Sequence, residues 1–229
     1  MPLKLKTSLR KSSKVVMPPS TSHQPFIVLD FETSGMSPQM GDRAIEVGAV
    51  RVERGEIVAR FQSLMNPGFR VNAFIENYTG ISNEMLAEAP GNAEVMSRFA
   101  DFISADVPLV AHNASFDKRF LEHELRQLSL AHSNPFGCSM LVARRIYPDA
   151  PNHKLGTLVA YKQLRNEGVF HRALADAEMT AHLWLQMLED LRQGYAFADI
   201  PFQLMCDLAK VKRESADGFL RRMAENASF

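Results

Sequence analysis

The stretch FIVLDFETSG, residues 26–35, decides the fold and raises the main chemical question of this sequence. Its first residues, Phe26 to Leu29, form a continuous apolar run of the kind found in a central, buried strand. Asp30 and Glu32 follow two residues apart, and residues at that spacing project from the same face of a strand. Two like charges side by side repel each other unless a cation lies between them. The pattern therefore favours a metal-binding site over a pair of surface acids.

Strand patterns extend outward from this stretch. Residues 44–54 alternate apolar and polar side chains, and residues 55–67 continue the β pattern after the Arg54-Gly55 turn. Three strands separated by short turns predict a meander at the start of a sheet. Further along, short apolar strands alternate with amphipathic helical segments, the longest at residues 173–193. This order predicts an α/β fold with a mixed sheet between layers of helices.

The two ends of the chain differ in composition from its middle. Residues 1–24 carry five basic residues and no acid, and residues 17–25 have the Pro-Ser-rich composition of a linker. We expect a disordered basic tail at 1–24, for which a targeting peptide is the alternative. A domain is expected at 25–193, followed by a C-terminal helical extension at 194–229 made of two short helices.

The composition narrows the classes of protein to which this chain could belong. The chain of 229 residues holds 26 basic and 26 acidic residues, so the part that follows the basic tail is acidic. An acidic body is unusual for a nucleic-acid binder unless some of its acids hold metal ions. Two cysteines, Cys138 and Cys206, lack metal-ligand spacing, which indicates a reducing compartment and a cytoplasmic location. No apolar run approaches the ~18 residues of a membrane span, so no membrane association is expected.

Two further acids fit the same chemistry as the first pair. Asp117 and Asp176 each lie near the start of a predicted helix, where a lone acid is ordinarily explained by the helix dipole. Together with Asp30 and Glu32, however, they make four carboxylates whose charge two divalent cations would neutralise. Oxygen ligands suit Mg²⁺ or Mn²⁺, and two such ions about 3.5–4 Å apart form a clamp for displacement at phosphorus. His171, five residues before Asp176, is a candidate proton acceptor.

Three motifs carry a family resemblance. They are DFETSG at 30–35, HNASFD at 112–117 and HRALADA at 171–177. In order and separation they resemble the motifs of the DEDDh (DnaQ-like) 3′-5′ exonucleases, the family of the proofreading epsilon subunit of DNA polymerase III. The resemblance covers roughly residues 25–193 and includes the connecting segment YTGISNEML at 78–86. It implies an RNase H-like fold, with a five-stranded mixed sheet flanked by helices.

The resemblance also implies an activity and a set of site residues. The expected activity is metal-dependent 3′-5′ exonuclease cleavage of DNA 3′ ends, preferably single-stranded, which releases nucleoside 5′-monophosphates in proofreading or repair. The expected cofactors are two Mg²⁺ (or Mn²⁺) ions. The metal ligands implied are Asp30, Glu32, Asp117 and Asp176, and the general base is His171. The residues implied to contact the terminal nucleotide are Thr33, Ser34, Gly80, Ile81, His112, Phe116 and His171.

Alternative functions stay open at this point. One is a 3′-5′ exoribonuclease of the RNase T or oligoribonuclease kind, since nothing in the motifs separates DNA from RNA. Another is a non-catalytic, polymerase-associated nucleic-acid-binding subunit, which the complete set of acids and His171 disfavours. Association with a DNA polymerase is also open, because QLSLAH at 127–132 superficially resembles a clamp-binding peptide. The interpretation that Leu128 completes the apolar stripe of a helix is the stronger one.

Overall fold

The computed structural model describes residues 24–103, 107–164 and 172–227, and a five-stranded mixed sheet lies at its centre. The strands are β1 (Phe26–Thr33), β2 (Ala44–Glu53), β3 (Glu56–Leu64), β4 (Leu109–Ala111) and β5 (Phe136–Cys138). The first three form the predicted antiparallel meander, and β4 and β5 add in parallel on the other side of β1. The spatial order is β3-β2-β1-β4-β5, so the apolar run that opens β1 lies in the middle strand.

Helices cover both faces of this sheet. They are α1 (Ala73–Thr79), α2 (Asn83–Glu88), α3 (Asn92–Phe102), α4 (Ser115–Gln127), α5 (Ser139–Ile146), α6 (Leu155–Tyr161), α7 (Ala173–Tyr195), α8 (Phe202–Leu208) and α9 (Ala216–Ala227). The predicted α/β fold with a mixed sheet and flanking helices is confirmed. Within the described ranges, no helix combines the length and the apolar character that crossing a bilayer requires.

The alternation of side chains along β1 divides the core into two layers. Ile27 and Leu29 are fully buried in the layer formed with α3 and α4. Phe26 and Val28 point the other way, into the layer that contains α7. Because Asp30 continues the alternation that begins with Phe26 and Val28, the strand aims the acid pair at the α7 side of the sheet.

The C-terminal helices pack on the α7 layer. Phe202 of α8 lies 5.8 Å from the ring centroid of Trp184 on α7, and Leu220 of α9 is buried in the same cluster. Helix α7 continues to Tyr195, across the boundary expected at 193. The two helices predicted for the extension are present. The boundaries of the extension stay a prediction, and the predicted basic tail lies outside the described residues except for Gln24.

Candidate active site

Three carboxylates converge where β1 meets α7. Side-chain oxygens of Asp30, Glu32 and Asp176 all lie within 4.8 Å of one another. Asp30 and Glu32 come from β1, and Asp176 comes from the first turn of α7. Glu32 and Asp176 are buried, and Asp30 is partly buried. The fold thus brings acids from two distant parts of the sequence into one cluster.

The fourth predicted acid reaches the same place from α4. Asp117 lies in the first turn of that helix, directly after the segment that follows β4. Its Oδ1 accepts a hydrogen bond of 3.2 Å from the backbone N–H of Phe31, the residue between Asp30 and Glu32. Asp117 is therefore held against the acid-bearing part of β1, although it lies outside the trio of mutually close oxygens.

The electrostatics of this cluster reflect uncompensated negative charge. Burial, followed by repulsion from Asp117, Glu32 and Asp176, raises the pKa of Asp30 well above its usual range. Burial, followed by repulsion from Asp176 and the neighbouring Glu46, raises the pKa of Glu32 to about 8. Burial also raises the pKa of Asp117 to about 8, against the lowering effect of the Phe31 amide. In protein without bound cations, Glu32 and Asp117 therefore retain protons near neutral pH.

The donor set fits a hard divalent cation. It consists of carboxylate oxygens, which Mg²⁺ and Mn²⁺ prefer, and it includes no thiolate or imidazole among the described residues of the cluster. A cation would also relieve the repulsion that, after burial, raises the pKa values of Asp30 and Glu32. Asp30, Glu32 and Asp176 are placed to hold such an ion, with Asp117 beside them.

An ion pair with a buried glutamate fixes the start of α7. Glu46 on β2 is fully buried and lies opposite Glu32 in the strand register. Its carboxylate accepts hydrogen bonds from Arg172 Nη2 at 2.9 Å and from Gln62 Nε2 at 2.8 Å. The first backbone N–H of α7, that of Ala173, donates to Glu46 Oε2 at 3.1 Å. This clamp attaches the helix turn that carries Asp176 to the strand next to Glu32.

Helix α7 packs so closely on β2 that Gly48 has no room for a side chain. Gly48 lies opposite Asp30 in the register of β2 with β1. A Cβ atom at Gly48 would come within 2.0 Å of Leu174 N and 2.2 Å of Ala173 C. Since these are backbone atoms of α7, the whole first turn would have to move. The glycine is therefore needed for α7 to approach the sheet at the level of the acid cluster.

A second ion pair, between Glu124 and Arg43, fixes the position of α4. Glu124 on α4 is buried, and its carboxylate accepts two hydrogen bonds from Arg43, at 2.9 Å from Nε and 2.7 Å from Nη2. The backbone N–H of Ala44, at the start of β2, donates to the same carboxylate at 3.1 Å. The helix that carries Asp117 is thus attached to the strand that also holds α7.

Thr33 and Ser34, predicted to approach a nucleotide, directly follow the acid pair and are buried. The Thr33 hydroxyl donates to the carbonyl oxygen of Gly35 at 2.6 Å. The Ser34 hydroxyl accepts from the backbone N–H of Arg43, and the Ser34 N–H donates to the Arg43 carbonyl oxygen, both at 2.9 Å. These bonds hold the loop between β1 and β2, and a contact with substrate stays a prediction.

Gly80 and Ile81 occupy different environments. Gly80 is exposed and ends α1 in a left-handed conformation with a φ of 69°. Ile81 is fully buried against Ile45 and Ile75. A contact between the Ile81 side chain and a base would therefore require this loop to move, and the role of both residues stays a prediction.

His112 is held by two protein hydrogen bonds. Its Nδ1 lies 2.9 Å from Ser139 Oγ, and its Nε2 lies 2.9 Å from the carbonyl oxygen of His153. Because a carbonyl oxygen only accepts, the proton is on Nε2. Burial lowers the pKa of His112 to about 4, so the ring is neutral at neutral pH. Phe116 packs on Phe120 at a centroid distance of 5.0 Å. The contacts of His112 and Phe116 with substrate stay predictions.

The predicted general base, His171, lies outside the described residues. The described chain resumes at Arg172, the partner of Glu46. Sequence reasoning missed Glu46 and Gly48. The available signals were an acid within the otherwise apolar AIEVGAV strand and a glycine in the strand interior, which often marks a close backbone approach.

The sequence is similar to that of known nucleases and DNA polymerases. The family model for exonucleases, RNase_T, matches residues 27–184. The DNA polymerase III PolC-type of Caldanaerobacter subterraneus subsp. tengcongensis is 37% identical over 168 residues, which are 73% of this chain and 12% of that protein. The 3'-5' exonuclease DinG of Bacillus subtilis (strain 168) is 39% identical over 175 residues, 74% of this chain and 18% of that protein. The chain thus spans less than a fifth of the length of either relative.

Solved structures agree on the fold. Exonuclease X in complex with 5' overhanging duplex DNA has a TM-score of 0.63 at 24% identity, covering 80% of this chain and 99% of that one. The nuclease domain of 3'hExo, a DEDDh family member bound to rAMP, has a TM-score of 0.62 at 18% identity, covering 74% and 94%. The predicted RNase H-like architecture is confirmed by these neighbours.

Replacing Gly48 with Ala tests the close approach of α7. The added methyl displaces the first turn of the helix and moves Asp176 away from Asp30 and Glu32, so Mn²⁺ affinity should fall by roughly 10- to 100-fold, as supporting residues of metal sites typically show. Isothermal titration calorimetry measures this. Gly194→Ala is the matched control, because a Cβ there meets nothing within 4 Å and its Mn²⁺ affinity should equal that of the wild type. Equal Mn²⁺ affinity for both variants would contradict the close packing of α7 on Gly48.

The raised carboxyl pKa values predict how stability depends on pH. Glu32 and Asp117 hold protons in the folded protein up to about pH 8, but only to about pH 4 in the unfolded chain. The folded state therefore binds more protons across this window, and its stability without cations should decrease as the pH rises from about 5 to 8. Thermal melts in EDTA measure this decrease. Added Mg²⁺ should diminish it, and Glu32→Gln should flatten the slope. A slope that neither change affects would contradict the assignment.

Proposed function

The chain belongs to the exonuclease family, and we propose that it is a metal-dependent 3′-5′ exonuclease that releases nucleoside 5′-monophosphates from DNA. The observation that carries the proposal is the convergence of Asp30, Glu32 and Asp176, whose side-chain oxygens lie within 4.8 Å of one another. Asp117 completes the acid set from α4. Three converging acids with a fourth beside them suit cleavage of a phosphodiester by bound cations.

In this proposal, Asp30, Glu32, Asp117 and Asp176 hold two Mg²⁺ or Mn²⁺ ions. Such ions supply Lewis-acid stabilisation of the negative charge that develops on the phosphate and on the attacking and leaving oxygens. The ligands come from β1, α4 and α7, and the two helices are held by the ion pairs of Glu124 and Glu46 described above. The chain therefore presents the ligands in a fixed arrangement, which lowers the cost of organising the site during the reaction.

The remaining steps fall to other residues of the chain. The 3′-terminal nucleotide enters with its phosphate toward the acid cluster. A ring nitrogen of His171 takes a proton from water while the water oxygen forms a bond to phosphorus. The bond between phosphorus and the 3′-oxygen of the preceding nucleotide breaks, and that oxygen takes a proton from solvent. Thr33, Ser34, His112 and Phe116 adjoin the cluster in the sequence motifs and are the proposed contacts to sugar and base.

The polymer and its setting are also proposals. DNA is favoured over RNA because the relatives above 35% identity are named as a DNA polymerase III and the 3'-5' exonuclease DinG. Single-stranded ends should be preferred, because a paired end must melt before its last nucleotide reaches the cluster. A cytoplasmic role in proofreading or repair and association with a polymerase are part of the proposal, and the latter agrees with a relative that is named as a DNA polymerase III. Within QLSLAH, the segment that could contact a polymerase clamp, Leu128 packs partly against the core, whereas Leu130 is exposed.

Asp176→Asn tests the activity. The substitution removes one charge from the trio while keeping the shape of the side chain, so release of mononucleotides should fall by at least about 10²-fold. The assay follows a 5′-labelled single strand with Mg²⁺, since shortening from the 3′ end leaves the label on a ladder of products. Glu178→Gln, an acid on the same helix that pairs with Arg60 at the surface, is the matched control and should retain wild-type activity. Full activity of Asp176→Asn would refute the site.

His171→Ala separates a proton acceptor from a metal ligand. A general base typically contributes 10²- to 10⁴-fold, so the rate should fall by about that factor. Mn²⁺ affinity should stay at the wild-type value, whereas Asp176→Asn should lower it. Loss of Mn²⁺ binding on His171→Ala would instead make His171 a ligand.

A further inference from the structure

Helix α1 carries a pair of aromatic rings on its solvent-facing side. Phe74 and Tyr78 lie four residues apart, so they share one face of the helix. Their ring centroids are 5.8 Å apart and their planes differ by 11°, which is a stacked arrangement. The Phe74 side chain is 71% exposed and that of Tyr78 is 52% exposed. Two large, nearly parallel rings therefore stand at the surface instead of in the core.

The buried side of α1 fixes the pair beside the acid cluster. Ile75 is buried together with Ile45 of β2 and with Ile81, the second residue after the helix. Ile45 directly precedes Glu46, which lies opposite Glu32 in the sheet. In agreement, the carboxylates of Glu32, Asp176 and Asp30, after burial, raise the pKa of the Tyr78 phenol. Tyr78 is thus near enough to the cluster for its charges to act on the phenol, and Phe74 lies one helical turn before Tyr78 on the same face of α1.

We propose that Phe74 and Tyr78 form a stacking platform for the unpaired bases at the 3′ end of the substrate strand. This inference rests on the proposed exonuclease function. The base next to the cleaved phosphate meets the side of the platform nearer Tyr78, and the preceding base meets the side nearer Phe74. The platform is distinct from Ile81, which is buried beneath it.

Physical chemistry favours bases as the occupant. Every base presents a π-face, so stacking on aromatic side chains holds single strands without reading their sequence. A phosphate alone would gain nothing from two uncharged rings, and the acid cluster with its cations already accounts for phosphate. A base pair at a duplex end has its inner face covered by the next pair, so only an unpaired end can place two successive bases on the rings. The platform therefore selects frayed or single-stranded ends.

The test combines protein variants with altered substrates. Wild type and the Phe74→Ala/Tyr78→Ala double variant are compared on two single-stranded DNA oligonucleotides with Mg²⁺. One has normal nucleotides throughout, and the other has stable abasic residues at its last two positions. For the wild type, removal of the bases should lower kcat/KM roughly tenfold, mainly through KM. The double variant should lose about the same factor on the normal strand and lose little more on the abasic strand.

Such non-additivity would show that the two rings act through contact with the terminal bases. If the double variant shows an equal defect on both strands, or no defect on either, the platform is refuted. Tyr78→Phe keeps the ring and should keep the sensitivity to base removal. Tyr161→Ala is the matched control: Tyr161 is also exposed, but it packs on Tyr147, which is bonded to Asp190. Asp190 lies about 20 Å along α7 from Asp176, so this variant should match the wild type on both strands.

Failure of the underlying function gives a different result. If the wild type shortens neither strand, the exonuclease proposal fails. Fluorescence anisotropy with the same proteins and strands then decides the platform separately. Wild-type binding that weakens roughly tenfold on loss of either the rings or the bases, without further loss on removing both, supports the platform. Binding that does not depend on the rings refutes it.

Discussion

Mutual repulsion between buried carboxylates is the constraint on which the rest of the structure depends. Asp30, Glu32 and Asp176 converge within 4.8 Å, and burial together with repulsion raises the pKa of both β1 acids. A chain gains no stability from this arrangement by itself. It becomes favourable when cations balance the charge, which couples the integrity of the site to metal binding. Bound cations would thereby make the acidic body of the protein compatible with the polyanionic substrate proposed above.

The fold holds these acids together by attaching two helices to one strand. Glu46 on β2 binds Arg172 and caps α7, while Glu124 on α4 binds Arg43 just before β2. In each pair the glutamate also accepts a backbone N–H, so the ion pair fixes backbone position as well as charge. Gly48 then allows α7 to rest directly on the sheet. The acids on α4 and α7 are consequently both positioned by attachment to the same part of the sheet, the first half of β2.

The sequence predicts which acids lie together better than it predicts the residues that support and surround them. Period-two alternation places Asp30 and Glu32 on one face of β1 because strand geometry is local. Their meeting with Asp176 follows from the family resemblance. The bonds of Glu46 depend on where a helix 126 residues away lies on the sheet, which no local pattern encodes. Likewise, the burial of Ile75 and the exposure of Phe74 depend on the rotation of α1 about its axis, because both residues are apolar in the sequence.

The most direct test of this account is the location of bound metal. Crystals grown with Mn²⁺ and measured at an energy where manganese scatters anomalously would show each ion as a peak in the difference density. Two peaks about 3.5–4 Å apart are expected, bounded by Asp30, Glu32, Asp117 and Asp176. In Asp176→Asn crystals these peaks should weaken or vanish. Wild-type crystals with no peak at these carboxylates, at Mn²⁺ concentrations that support the activity, would contradict it.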